Sequence, residues 1–513
     1  TTEACYFITT DLGPGKRMAE QPSSTQPANV QVSTFDDRAF HEVELENFLE
    51  SGREWYGESF EFETVQPFPF SFANVVTSVP VKVTSLVASK SIYASNTFTM
   101  SAAGQTIAKA DIAKVCSDYT CAFAYTAKLE GTFIASSGNF DVLFTYTRNA
   151  QDAIGWLNYV EVNAQRGLTW TGSQMSFRSL ASWATGNISQ FTVGNTNSSL
   201  IVWDVSDPIN SIRQQTTING NQLQYTLQTD TLREFVVLAD NEGYTPIAIG
   251  KVANQDLHGL AQANYIIVAP ASLLTYANQL ADFHRSESNL TVHVVDLDQV
   301  YNEFSSGAPD ATAIRDMMRM FYQRAGSDVS QLPKYLCLFG DGSYDNKGNI
   351  EGHKGLIPTF QSANSTSATS SFVSDDFYGL LDDNEGGNVL DPNAKLDIGI
   401  GRLPLNDAEQ ATSMLNKINL YASPESFGNW RNVVTFVADD EDNNTHIKDA
   451  DEVAVSVSTK YPVYNFDKIY FDSYQQISIP GGTRYPDANT AINNRICNGT
   501  MLMNYVGHGS EEG

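Results

Sequence analysis

The stretch Tyr265-Ile266-Ile267-Val268-Ala269 decides the fold. Its apolar, largely β-branched residues end at Pro270, which predicts a short strand buried on both faces. The residues that follow have helical spacing, with Leu273, Leu274, Ala277, Leu280 and Ala281 on one face. A second strand is predicted at Val292–Val295, a helix over Ala313–Tyr322 and another buried strand at Tyr335–Phe339. This βαβαβ rhythm predicts a parallel sheet flanked by helices, because right-handed crossovers lay each helix back onto the sheet. Reactive residues are then expected beyond the carboxyl ends of the strands. A second set starts at Asn432-Val433-Val434-Thr435-Phe436-Val437-Ala438. It continues with a helix from about Asp449 to Thr459, a strand around Lys468–Phe471, a helix near Ala488–Cys497 and a last strand, Met501–Val506.

Before residue 245 the pattern is different. Runs such as Phe140–Thr147, Leu200–Val205 and Phe235–Leu238 are rich in β-branched and aromatic residues and are divided by Gly, Ser and Asn. They predict antiparallel strands in an all-β sandwich or jelly roll. Gln21–Pro27, rich in Ser and Pro, is expected to be an exposed loop or a frayed segment. The expected domains are an amino-terminal segment (1–60), the β-sandwich or jelly-roll domain (61–245), a first α/β subdomain (246–428) and a second (429–513) whose sheet is incomplete at its carboxyl end. Trp55-Tyr56-Gly57 and Trp203-Asp204-Val205 are expected to anchor packing in the β region.

With 31 basic residues against 59 acidic ones the net charge is −28, which argues against nucleic acid, since phosphate binding needs clustered Lys and Arg. An apolar content of 42% can fill several cores. No apolar run reaches the ~18 residues of a membrane-spanning helix. The sequence opens Thr1-Thr2 with no basic-then-apolar leader, so a processed, soluble chain is expected. Among the five cysteines, only Cys116 and Cys121 are close together, and their spacing suits a small disulfide loop or two buried thiols equally. Cys337 lies inside the apolar run Tyr335–Phe339, where burial raises a thiol's pKa and argues against a nucleophile.

The strongest chemical candidate is Asn504-Tyr505-Val506-Gly507-His508-Gly509-Ser510. A histidine between two glycines at the carboxyl end of a strand has an exposed ring that can take a proton, and the Gly509 amide can stabilise an oxyanion. These residues resemble the histidine motif of gingipain-type cysteine peptidases. Further blocks resemble the branch of that family that serves as the sortase of the type IX secretion system: Gly52–Glu58, Asn254–His258, Leu338–Asp345, Ser374–Gly379 and Asp397–Pro404. The resemblance is collinear from about residue 41 to the end.

The resemblance implies a caspase-like α/β catalytic domain of two subdomains behind an amino-terminal β region. It implies removal of the carboxy-terminal signal domain of secreted cargo proteins and transfer of the new carboxyl end to an amine of anionic lipopolysaccharide, through a cysteine thioester. It also implies an outer-membrane partner, PorV, an attachment complex, and a place at the cell surface on the outer membrane after export through the periplasm. His508 is expected to shuttle the proton. No cysteine follows it before Gly513, so the expectation is that the nucleophile lies beyond this chain, which alone would be inactive; Cys497, before the last strand, is expected to be structural. The alternative is a catalytically silent gingipain-fold scaffold.

In gingipains an acidic residue after the strand opening the second subdomain orients the histidine, and Asp439 occupies the matching place. A solvated acidic loop and a calcium site are the other readings of Asp439–Asn444. Where arginine-specific gingipains bind a cationic side chain with an acidic residue, this sequence has His446, so selection of Arg is not expected. No cofactor is required. Calcium remains open at Asp375-Asp376 with Asp382-Asp383-Asn384-Glu385, where an exposed loop is the plainer reading. Asp341 and Asp345 sit where active-site loops gather and suit turn roles equally, and Arg402 is expected to form a buried ion pair at the sheet edge.

Overall fold

Alternation of apolar and polar residues along Asn139–Thr147 turns Val142, Phe144 and Tyr146 to one side, where they are buried. The computed structural model describes residues 4–509 apart from 11, 119, 173, 198, 240, 241 and 481, so Ser510 of the histidine motif lies outside the described residues. The chain forms two units, Thr1–Ala408 and Glu409–Gly513.

The β region of the first unit contains two sandwiches. One packs the antiparallel strands Thr34–Glu42, Ile154–Gly167, Val81–Lys90 and Tyr125–Phe133 against Val65–Ser71, Asn139–Thr147, Asn96–Ala102 and Gln105–Ile112. Their inward side chains, among them Val83, Val87, Phe98, Phe144 and Leu157, form one core. Each large apolar side chain buried there contributes about 1.5–3 kcal/mol relative to exposure. The second sandwich centres on Phe191, Val202, Tyr225 and Phe235. It takes Ala19–Gln21 and Val30–Val32 as parallel strands from the amino-terminal stretch. Gln21–Pro27 thus begins inside a strand, a pairing across nearly two hundred residues that local composition does not reveal.

The Gly52–Glu58 block fixes the β region to the α/β part of the same unit. The Arg53 amide donates to the Ser362 carbonyl, the Gly52 amide to Gln361 Oε1 and the Glu54 amide to Ser365 Oγ. Gly52 has φ +86°, and a Cβ there would fall 2.1 Å from the Asn364 carbonyl oxygen, so backbone approaches backbone directly. Trp55 and Tyr56 are buried, and Trp55 stacks on Tyr344.

The α/β part of the first unit holds β1 (Tyr265–Ala269), α1 (Leu274–Glu287), β2 (Val292–Asp296), α2 (Leu297–Phe304), α3 (Ala311–Ala325), β3 (Tyr335–Phe339) and β4 (Gly399–Leu403). The sheet is parallel throughout, in the order β2-β1-β3-β4. Asp296 and Asp310 cap α2 and α3 by accepting amide hydrogen bonds two residues on. The apolar stripe of α3, including Ile314, Met317, Met318 and Phe321, shares one core with Ile266, Val268, Leu336 and Leu338.

The second unit holds α4 (Ala408–Ala422, beginning at the last residue of the first), β5 (Val433–Ala438), α5 (Glu441–Lys460), β6 (Asn465–Tyr470), α6 (Pro486–Asn498) and β7 (Leu502–Val506). Its sheet is also parallel, in the order β6-β5-β7. β5 is the central strand and its side chains are buried from Val434 onward, with Val434 and Phe436 packed on Ala454 of α5. Among the described residues no helix is long and apolar enough to cross a membrane.

Candidate active site

In a sheet of order β6-β5-β7 the chain leaves the central strand to one side and returns on the other, so a crevice opens between the carboxyl ends of β5 and β7. Asp439 is the residue after β5, and Gly507 and His508 follow β7. The topology alone therefore brings together a carboxylate and an imidazole 69 residues apart in sequence.

Asp439 is buried, with 8% of its side chain exposed. Its Oδ2 accepts from the His508 backbone amide at 2.7 Å and faces His508 Nδ1 at 3.0 Å. Its Oδ1 faces His446 Nδ1 at 2.5 Å. Burial acts to raise the Asp439 carboxyl, but the His508 amide and the two imidazoles outweigh it and hold the group below the ordinary carboxylate range. The hydrogen bond to Asp439 lifts His446 above the ordinary imidazole value, against a smaller opposing effect of burial.

His508 is half exposed, and its ring meets that of His446 edge to face with centroids 4.8 Å apart. With Nδ1 held by Asp439, the other nitrogen, Nε2, stands 3.4 Å from Asp442 Oδ2, which is longer than a hydrogen bond. Gly507 has a steric reason to be glycine, since a Cβ there would fall 2.4 Å from the Tyr505 hydroxyl and 2.6 Å from Asp439 Oδ2. Around Gly509 the space is open.

The structure thus gathers His508, Asp439 and His446 into one cluster with Gly509 beside it. Two further groups are given no catalytic role in the sequence reading. The Tyr505 hydroxyl donates to the His508 carbonyl at 2.8 Å. Asp442 reaches both imidazoles, at 3.3 Å from His446 Nε2 and 3.4 Å from His508 Nε2. The signal for Asp442 was its spacing of four from His446, but Asp442, Asn443 and Asn444 have left-handed φ of 59°, 56° and 62°, so helical geometry does not extend over them.

The other candidates serve the scaffold. Arg402 grips Asp375 with two parallel hydrogen bonds of 2.7 and 2.8 Å and also donates to the carbonyls of Gly340, Ile357 and Pro358. Asp383 pairs with Arg319, and Asp382 accepts from Tyr322. Asp345 is buried and accepts from the amides of Gly348, Asn349 and Ile350. Cys116 and Cys121 form a disulfide. Burial pushes the Cys337 thiol up to about 11, and Cys497 is exposed at the end of α6.

Residues 258–513 match the family model described as peptidase family C25. The chain belongs to peptidase family C25. C25 members are cysteine peptidases, and the parallel α/β domain behind a β region is the architecture found here. The crystal structure of dimeric latent PorU from Porphyromonas gingivalis is similar to the chain over 81% of its length, at 26% identity and a TM-score of 0.71. The chain spans 40% of that PorU chain. The complex of the pro- and mature domains of RgpB from the same organism aligns with 48% of this C25 chain and 48% of its own, at 19% identity and a TM-score of 0.33, too distant to carry an argument. No curated protein matches the sequence.

Proposed function

We propose that this protein is a sortase of the type IX secretion system, a cysteine endopeptidase that removes the carboxy-terminal signal domain of secreted cargo and transfers the new carboxyl end to an amine of anionic lipopolysaccharide. The observation that carries this reading is the Asp439–His508 pair, with Nδ1 held by a buried carboxylate and Nε2 free to exchange a proton. The likeness to PorU over most of the chain supports the choice within the family.

The nucleophile is a cysteine beyond residue 513. Its thiol gives a proton to His508 Nε2, and the thiolate attacks the scissile carbonyl. The peptide C–N bond breaks, the leaving amine takes the proton from His508, and a thioester remains. An incoming amine, or water, then attacks the thioester and regenerates the thiol. Asp439 stays ionised, fixes the tautomer and stabilises the imidazolium, and the Gly509 amide is the oxyanion donor. His446 is read as a substrate-binding residue because it matches the position at which arginine-specific gingipains carry an acidic residue; with no fixed negative charge it does not select Arg. No cofactor enters the scheme.

The cargo signal domains, PorV and an attachment complex are the expected partners, at the cell surface on the outer membrane. The Cys116–Cys121 disulfide fits export through the oxidising periplasm. The test is labelling of the full-length protein by an electrophilic thiol probe. One cysteine beyond residue 513 is expected to react, and His508→Ala is expected to slow it by about 10²-fold or more. Equal rates would reject His508 as the base, and absence of a reactive cysteine would favour the silent scaffold.

A further inference from the structure

The cluster at the end of the second sheet holds more ligating groups than a proton relay uses. A relay through His508 to Asp439 occupies one imidazole, yet His446 bonds the same carboxylate through its own Nδ1. One ring nitrogen of each histidine and one carboxylate oxygen of Asp439 lie within 4.8 Å of one another. Among the described residues this is the one group of three or more His, Cys, Asp or Glu side chains that are this close. Its members come from the end of β5, from α5 and from the segment after β7, so helical spacing does not explain the convergence.

Asp442 Oδ2 stands at the other nitrogen of each ring, 3.3 Å from His446 Nε2 and 3.4 Å from His508 Nε2. Ligands of a tetrahedral zinc ion, bound at about 2.0–2.1 Å, stand about 3.3 Å apart. Two imidazoles with a carboxylate make a nitrogen–oxygen donor set that suits zinc-class ions, whereas calcium and magnesium take oxygen alone. Outer contacts hold the main carboxylate in place, since Asp439 accepts from the His508 amide at 2.7 Å.

We infer that Asp439, His446 and His508 bind a divalent zinc-class metal ion. The ion takes the lone pair of His508 and so acts as a reversible brake on proton transfer. The brake rests on the peptidase reading above; the binding site does not.

The test is titration of the 513-residue chain with Co2+, followed by displacement with Zn2+. One equivalent of Co2+ should give the visible absorption bands of a nitrogen–oxygen site, and one equivalent of Zn2+ should abolish them. His446→Gln and His508→Gln should each weaken binding by at least about tenfold, by analogy with the loss of metal-site contacts. The exposed Asp376→Asn should leave binding unchanged, and circular dichroism checks that each variant is folded. Absence of the bands in the wild-type chain, or binding that both histidine variants retain, would overturn the site. In the full-length protein one equivalent of Zn2+ should slow thiol-probe labelling by at least about tenfold and a chelator should reverse it, as follows from an occupied lone pair. Bands without such slowing remove the brake, and bands without any reactive cysteine remove the peptidase reading while the metal site stands.

Discussion

The two parallel sheets share a winding and differ in what they place at its turning point. In the first, the switch between β1 and β3 opens beside Gly340–Asp345, and the polar groups there are spent on backbone amides and on a neighbouring side-chain amide. Asp345 binds three amides, and Asn406 Nδ2 donates to Asp341. Arg402 closes the neighbouring edge strand onto Asp375 and three carbonyls. In the second, the switch between β5 and β7 presents a carboxylate and two imidazoles to one another, with His508 half exposed. Winding supplies a crevice; whether it becomes reactive depends on whether its titratable groups keep an unused proton site.

The sharpest way to break that contrast is to change one aspartate in each sheet. Asp439→Asn keeps the shape but cannot hold the imidazole in the tautomer that leaves Nε2 a base, so kcat/KM of the full-length protein on a cargo-signal peptide should fall by about 10³–10⁴-fold. Asp345→Asn should leave kcat/KM within a few-fold and lower the denaturation midpoint instead. Matching activity losses from the two would erase the distinction. Removing the cation of the first sheet's Arg402–Asp375 ion pair, with Arg402→Ala, strands a partly buried carboxylate and three carbonyls and should cost about 2–3 kcal/mol of stability by denaturant unfolding. An unchanged midpoint would mean that the edge strand is held by its ladder alone.

Gly507→Ala probes the second sheet more gently. The added methyl would crowd the Tyr505 hydroxyl and Asp439 Oδ2, and overpacking of this kind costs about 1–3 kcal/mol. Thiol labelling should slow because the carboxylate must move away from His508. A variant that loses stability but labels at the wild-type rate would detach Gly507 from the site.

These contrasts also mark what was legible in the sequence. Strands such as Tyr265–Ala269 and Val433–Ala438 were visible because parallel strands are apolar on both faces. Helix α2 was missed because it starts directly at the end of β2, with Asp296 as its cap, and leaves no turn residues to announce it. Helix α4 was missed because it buries only Ala411 and Leu415 and so carries a weak stripe. The family blocks marked packing more than chemistry: in Asn254–His258 the Leu257 amide and Gln255 bind Glu303, and in Asp397–Pro404 Asp397 accepts the Leu381 amide. His508 and Asp439 were readable from strand ends, but their sharing with His446 and Asp442 was not. That sharing depends on three left-handed residues at the start of α5, where helical spacing fails.

The smallest predicted effect is on the pH dependence of stability, and its sign separates the two carboxylate-bound imidazoles from a solvated acidic loop. His446 is raised by its bond to Asp439, so its folded form binds a proton more tightly than the unfolded chain does. That contribution is fully present below the ordinary imidazole value of about 6.5 and is lost as pH rises through the higher folded value. Asp439 is depressed, so its contribution is present above the ordinary carboxylate value of about 3.9 and is lost as pH falls through the lower folded one. Stability of the second unit should therefore decline at both ends, and His446→Gln should flatten the upper decline, because Gln holds no titrating proton, and soften the lower one, because His446 also helps to hold Asp439 down. Melting curves at a series of pH values read this directly. If His446→Gln leaves the upper limb as steep as in the wild type, the imidazole does not share the Asp439 carboxylate in solution.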